Sequence, residues 1–172
     1  MKPSKFCIVL FFLFVSFLPY TSFSTEVFDE KPLFKKGYWE VVLLRYDDRS
    51  TACIARNGSG NKEFQIYVNT DVEELAIFYD DSNVNETLKI FQFAVDDYAS
   101  WYSESPFLDS GWLIMDLKSG SDKAVTELIQ EIRKGQELFH LDDNNKIISN
   151  FSLKGSAASI SELVNCIEDQ GF

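Results

Sequence analysis

Residues 151–167 read FSLKGSAASISELVNCI: a short apolar-polar alternation, a Leu-Lys pair, a glycine, then apolar residues three and four apart. Residues 115–132, MDLKSGSDKAVTELIQEI, follow the same plan after one gap. In both, a period of two gives way to a helical period, which marks a strand, a turn and an amphipathic helix. The first helix is expected over Asp122–Lys134, with Ala124, Val125, Leu128, Ile129 and Ile132 on one stripe. Ser121 suits its N-cap and Gly135 its stop. The second, about Ala157–Glu168, is expected to bury Ile160, Leu163, Val164 and Ile167. The likeness reads either as a duplication or as two sheet-packing helices converging on one pattern; two copies are too few for a solenoid. Cys166 stands where the first copy has Glu131 and borders the apolar stripe.

Upstream of these helices the pattern is that of strands. Tyr38–Leu44, Thr51–Ala55, Phe64–Val68, Leu75–Tyr79, Leu88–Val95 and Trp112–Leu117 are short apolar runs rich in β-branched and aromatic residues. Glu137–Leu141 and Lys146–Leu153 flank the turn-like Asp142-Asp143-Asn144-Asn145. NGSGNK at 57–62 is a hairpin signal, because Asn-Gly readily takes positive φ. Short connections favour antiparallel pairing. The expected fold is α+β: an antiparallel, sandwich-like sheet of about eight strands with two amphipathic helices packed on it.

The chain begins with Lys2 and Lys5, an apolar run from Phe6 to Pro19 broken by Ser16, and the small-x-small sequence Ser22-Phe23-Ser24. This is the layout of a secretory signal peptide, and the run is shorter than the roughly 20 residues of a membrane span. The expected organisation is a signal peptide over 1–24, a charged N-terminal arm over 25–37 broken by Pro32, and one globular domain over 38–172. The localisation that follows is periplasmic or secreted, with no transmembrane segment after cleavage.

Loss of Lys2 and Lys5 takes the formal net charge from −11 to −13. A chain this acidic lacks the basic patch that phosphate contacts require, so nucleic acid is not an expected partner. Cleavage also removes Cys7 and leaves Cys53 and Cys166. Two cysteines in an oxidising compartment allow one pairing, and a bridge closing so long a loop contributes up to about 4–5 kcal/mol; the other reading is two buried thiols.

His140 is the only histidine. In ELFHL the alternation sets it opposite Phe139 and Leu141, which reads as a surface or half-buried position. There is no Gly-x-Ser-x-Gly, HExxH, CxxC or P-loop, and no catalytic residue, metal ligand or cofactor is assigned. The doublets Asp47-Asp48, Asp80-Asp81, Asp96-Asp97 and Asp142-Asp143 read as turn residues. Asp81, Asn83 and Asn85 have the first spacings of a calcium loop, but Glu86 stands where glycine is needed. Asn57, Asn85 and Asn150 begin N-x-Ser/Thr sequons.

Residues 96–112, DDYASWYSESPFLDSGW, interrupt the strand pattern and read as a long loop. Its Tyr98, Trp101, Tyr102 and Phe107 are the candidate binding residues, either exposed for a partner or folded back over the core. The function expected is a non-enzymatic binding or accessory protein contacting a protein or envelope component. A carboxylate-dependent hydrolase and a secreted enzyme inhibitor are the alternatives.

Gly37-Tyr38-Trp39-Glu40-Val41, Thr51-Ala52-Cys53-Ile54-Ala55 and the final Phe-x-Leu-Lys-Gly-Ser-x-x-x-Ile-x-x-Leu-x-x-Cys over 151–166 resemble small periplasmic proteins of the invasion-associated locus B type. That family is associated with alphaproteobacteria. The resemblance covers Gly37–Arg56 and Phe151–Cys166, and this chain has Leu43 and Leu44 in the region of the family's usual early cysteine. It implies a periplasmic or surface-associated β-rich domain and transfers no catalytic residue.

Overall fold

A computed structural model describes residues 26–171 apart from 60, 70, 72–73, 82–89, 104–106, 110 and 118–120. The expected signal peptide, Cys7, the Asn85 sequon and most of the calcium-like loop lie outside the described residues. The elements run β1 (Val27–Lys36), β2 (Trp39–Tyr46), β3 (Thr51–Ser59), β4 (Lys62–Asn69), β5 (Glu74–Asp81), β6 (Phe91–Val95), β7 (Trp101–Ser103), β8 (Phe107–Asp109), β9 (Trp112–Asp116), α1 (Asp122–Lys134), β10 (Glu137–Leu141), β11 (Ile147–Ser152) and α2 (Ser156–Asp169). They form a seven-stranded sheet, ordered β1-β2-β3-β4-β5-β9-β8, and a four-stranded sheet, ordered β11-β10-β6-β7. Every described strand pairing is antiparallel.

The two sheets meet through aromatic side chains that alternation turns inward. Phe64 of β4 lies 5.9 Å from Phe93 of β6 and 6.1 Å from Phe151 of β11, measured between ring centroids. Tyr79 of β5 lies 5.9 Å from both Phe91 and Phe151. One buried cluster joins these residues to Trp39, Leu128, Ile132, Ile160 and Leu163, so both sheets and both helices share a core. Burying each such aliphatic side chain is worth about 1.5–3 kcal/mol. A smaller cluster, Val42, Leu44, Ala52 and Ile54 with Tyr46 and Tyr67 packed on it, covers the opposite face of β2 and β3.

Three strands beyond the expected eight account for the difference in count. The charged segment expected as an arm forms β1, an edge strand on β2. Pro32 fits there because the register shifts between Pro32 and Phe34, and an edge strand tolerates a missing N–H. The expected loop over 96–112 contains β7 and β8, each three residues long and too short to show a period. It is also a crossing between sheets: β7 pairs with β6, whereas β8 pairs with β9 in the other sheet.

The hairpin at 57–62 is present, but its turn lies later than expected. Asn57 and Gly58 are paired residues of β3, opposite Phe64 and Glu63, and the last pair is Ser59 with Lys62. Buried Asn57 gives its side-chain N–H to the Ser152 carbonyl at 2.6 Å, and the Trp39 indole N–H reaches the same oxygen at 3.2 Å. Tertiary hydrogen bonds therefore override the local turn preference of Asn-Gly.

α1 has the bounds its periodicity predicts, and the Ser121 hydroxyl accepts from the Ala124 N–H. Gly135 ends it with an extended backbone, and the position requires glycine because a Cβ there would run into Val95 and Leu153. In α2, Ile160 and Leu163 are buried as expected and Ile167 packs against the core. Val164, expected inside, is 46 % exposed. Cys166 takes the inward place instead, drawn there by its bond to Cys53. No described helix is long and apolar enough to cross a membrane.

Candidate functional site

The strand-turn-helix unit of residues 115–132 does more than close the core. The end of β9, the first half of α1 and the edge strand β7 enclose a cleft of about 230 Å³. Met115, Leu117, Ala124, Val125 and Leu128 supply its apolar lining, with Trp101, Tyr102, Ser103 and Asp116 completing it. Trp101 is half-buried and Tyr102 is 60 % exposed, so one ring forms a fixed wall and the other stands at solvent. The Trp101 indole N–H donates to the Glu131 carboxylate at 2.6 Å, which fastens β7 to α1 across the cleft. A charge-assisted bond of this kind fixes ring orientation as well as contributing energy.

Of the four aromatic residues singled out in the sequence, Trp101 and Tyr102 line the cleft. Tyr98 lies in the turn after β6, 52 % exposed, and does not line the cleft. Phe107 sits on β8 at the edge of the other sheet, with its side chain outside the described structure. The aliphatic lining, Asp116 and Glu131 were missed as site residues because they read as core and helix-surface positions. Their one sequence signal is the repeated strand-turn-helix unit itself.

The repeat has a structural counterpart. Glu131 and Cys166 occupy equivalent places in the two copies, and each ties its helix to a strand. Glu131 does so by the hydrogen bond to Trp101 of β7. Cys166 does so by a disulfide to Cys53 of β3, with both sulfurs buried.

A second polar group lies between the sheets. The Tyr79 hydroxyl donates to Asp81 at 2.9 Å and is 2.8 Å from the Ser149 hydroxyl, joining β5 to β11. Lys62 of β4 approaches Asp81 at 3.6 Å. Burial, with the Asp81 carboxylate adding to it, holds the Tyr79 phenol well above its ordinary pKa, so it stays protonated. His140 corrects the sequence expectation of a surface or half-buried position. It is fully buried, its ring centroid 4.1 Å from that of Tyr79 and 5.7 Å from that of Phe91. Leu138 and His140 share the inward face of β10 while Phe139 lies on the other, half-buried. Neither imidazole nitrogen has a hydrogen-bond partner, and burial pushes its pKa down to about 4. The ring is therefore neutral at pH 7 and does not hydrogen-bond Ser149, whose hydroxyl is engaged by Tyr79. Among the described residues no serine hydroxyl pairs with His140.

The aspartate doublets divide. The Ser50 side chain and then its N–H hold the Asp48 carboxyl below the usual range, and Asp142 is held below it by the N–H groups of Lys146 and Asn144. Asp96 accepts from the N–H groups of Gln136 and Glu137, joining its turn to the start of β10. Those three are turn residues as expected, whereas Asp81 belongs to the buried network.

Comparison with protein-family models, curated proteins and solved structures gives no match to this chain.

Proposed function

We propose that this chain is an exported, periplasmic or secreted binding protein that contacts a protein or envelope component through the cleft between β7, β9 and α1. The observation that carries this reading is a cleft with an apolar floor that both Trp101, held by Glu131, and the solvent-exposed Tyr102 line. Aromatic side chains at an accessible hollow supply large contact area at low entropic cost, as binding hot spots do. The buried Cys53–Cys166 bond supports the export part of the proposal, since such bonds persist in oxidising compartments. The N-terminal signal-like sequence supports it as well, and the invasion-associated locus B-like resemblance of the two ends belongs to the same proposal.

A photo-reactive benzoylphenylalanine in place of Tyr102, in cells that export the protein, tests this reading. The same group at Val164, exposed on α2, is the control. A discrete adduct formed from position 102 and not from 164 is expected. Equal, unselective labelling at both positions would refute the cleft as the contact site.

A further inference from the structure

We infer that the tip of the β10–β11 hairpin, residues 140–149, is an acid-operated latch: protonation of His140 releases it from β5 while the rest of the fold stays closed. This stands apart from the cleft reading and does not depend on it.

The first argument is a side chain out of keeping with its surroundings. His140 is the chain's one histidine, and it fills a fully buried place on the inward face of β10. Buried polar atoms in native proteins are almost always hydrogen-bonded. Neither ring nitrogen of His140 has a partner. Phe93 of β6 and Ser149 of β11 flank it in register, and the Tyr79 ring of β5 lies against it. A phenylalanine would fill this place without two unpaired nitrogens. What an imidazole adds is a charge that comes and goes with pH.

The second argument is the set of charges around it. Asp81 of β5 lies behind the Tyr79 hydroxyl, Lys62 of β4 stands at Asp81, and Asp142 follows β10. The two carboxylates favour an imidazolium and Lys62 opposes it, but burial outweighs all three. Neither carboxylate bonds to the ring, so the closed form gives a proton nothing to hold it. The proton is taken up where the ring reaches water.

The third argument is that the tip is separable. The ladder is interrupted by a register shift between His140 and Leu141, and residues 143–148 beyond it are exposed. Among the described residues, the side-chain bonds from the tip to neighbouring strands are Ser149 to Tyr79 and Asn145 to Gln92. The base of the hairpin is held independently. The Ser152 carbonyl accepts from Trp39 and Asn57, and α2 beyond it is bonded to β3 through Cys53–Cys166. Lifting the tip breaks the Tyr79–Ser149 bond, uncovers the Tyr79 and Phe91 rings that His140 covers, and leaves these anchors in place.

The test is native-state hydrogen exchange of the oxidised protein, followed by NMR at pH 7.5 and pH 5 across a urea series. Opening at the His140 and Ser149 amides should rise about 30-fold at pH 5, because the exposed imidazole titrates near 6.5 and the buried one near 4. Its urea dependence should be shallow, as for local opening, while the Val42 and Cys53 amides keep the steep dependence of global unfolding. In His140→Phe the tip's response to pH should stay below about three-fold. His140→Gln, also neutral throughout, gives the same comparison where the phenylalanine variant does not fold. No rise at pH 5, a rise that the variants retain, or tip amides as steep in urea as Val42 would each overturn the inference. The Tyr102 cross-link judges the binding function separately.

Discussion

The indole N–H of Trp101, on the edge strand β7, donates to the Glu131 carboxylate of α1 at 2.6 Å, and this bond fixes the wall of the cleft. Glu131→Ala should cost about 1–2 kcal/mol, since the half-buried indole loses a charge-assisted partner. Glu131→Gln should cost less, because its amide oxygen still accepts. Glu127→Ala, on the exposed side of the same helix, should change stability by less than about 0.5 kcal/mol. Thermal unfolding of the three variants checks the order; equal effects would deny the bond its role.

The Cys53–Cys166 bond closes a separation of 113 residues. In unreduced, denatured protein neither cysteine should react with an alkylating reagent, and reduction should add the mass of two hydrogens to the chain. The double substitution to alanine should destabilise by up to about 4–5 kcal/mol. Denaturant unfolding of the wild type and the variant measures it.

Burial of His140 makes stability depend on pH with a definite sign. Its folded pKa is about 4, below the ordinary value of 6.5, so between these values the unfolded chain takes up a proton that the folded chain does not. This contribution is at its full value above pH 6.5, falls as the pH drops toward 4, and changes no further below that. The loss over the window is on the order of 3 kcal/mol. His140→Phe removes two unpartnered nitrogens and the titration together, so its stability should vary less between pH 6.5 and 4 than that of the wild type. Identical pH profiles would show that His140 does not titrate as its burial requires.

Asn57 is buried and gives its amide N–H to the Ser152 carbonyl. Asn57→Ala should cost about 1–2 kcal/mol through the lost hydrogen bond between β3 and β11. In a host that glycosylates exported proteins, the folded product should carry no glycan at Asn57, while Asn150 presents an exposed side chain. Peptide mapping of the secreted protein reads both positions, and a glycan on Asn57 in folded material would contradict its placement.

Gly155 precedes α2 at φ +107°, where a Cβ would fall 2.6 Å from the Lys36 carbonyl oxygen. Gly155→Ala should cost about 2 kcal/mol or more, combining the left-handed backbone with displacement of the end of β1. Urea unfolding distinguishes this from Gly111→Ala, which has a positive φ but meets nothing nearby. The difference between the two variants isolates the contact with Lys36.

Much of the fold was legible because it is written in short-range periods. Alternation along Phe64–Val68 and Leu75–Tyr79 marks β4 and β5, and the stripe through Leu128 and Ile132 marks α1 to the residue. Strands of three residues, such as β7 and β8, carry too few alternations to be read. An exposed edge strand such as β1 has too little apolar surface to stand out from a charged arm. The candidate site was half legible: Trp101 and Tyr102 stand out as aromatics in a polar stretch, but the apolar floor under them looks like any core.

The amino-acid sequence alone determined eight of the strands, the antiparallel pairing, the two helices and the single partner left for Cys166 once the signal-like segment is set aside. Those features depend on neighbours along the chain or on counting. Only the tertiary structure decided that His140 points inward at Tyr79, that Asn57 serves the Ser152 carbonyl rather than a turn, and that Trp101 meets Glu131. Each depends on which residue of a distant strand or helix lies opposite, and local periodicity gives a residue's face but not what that face meets.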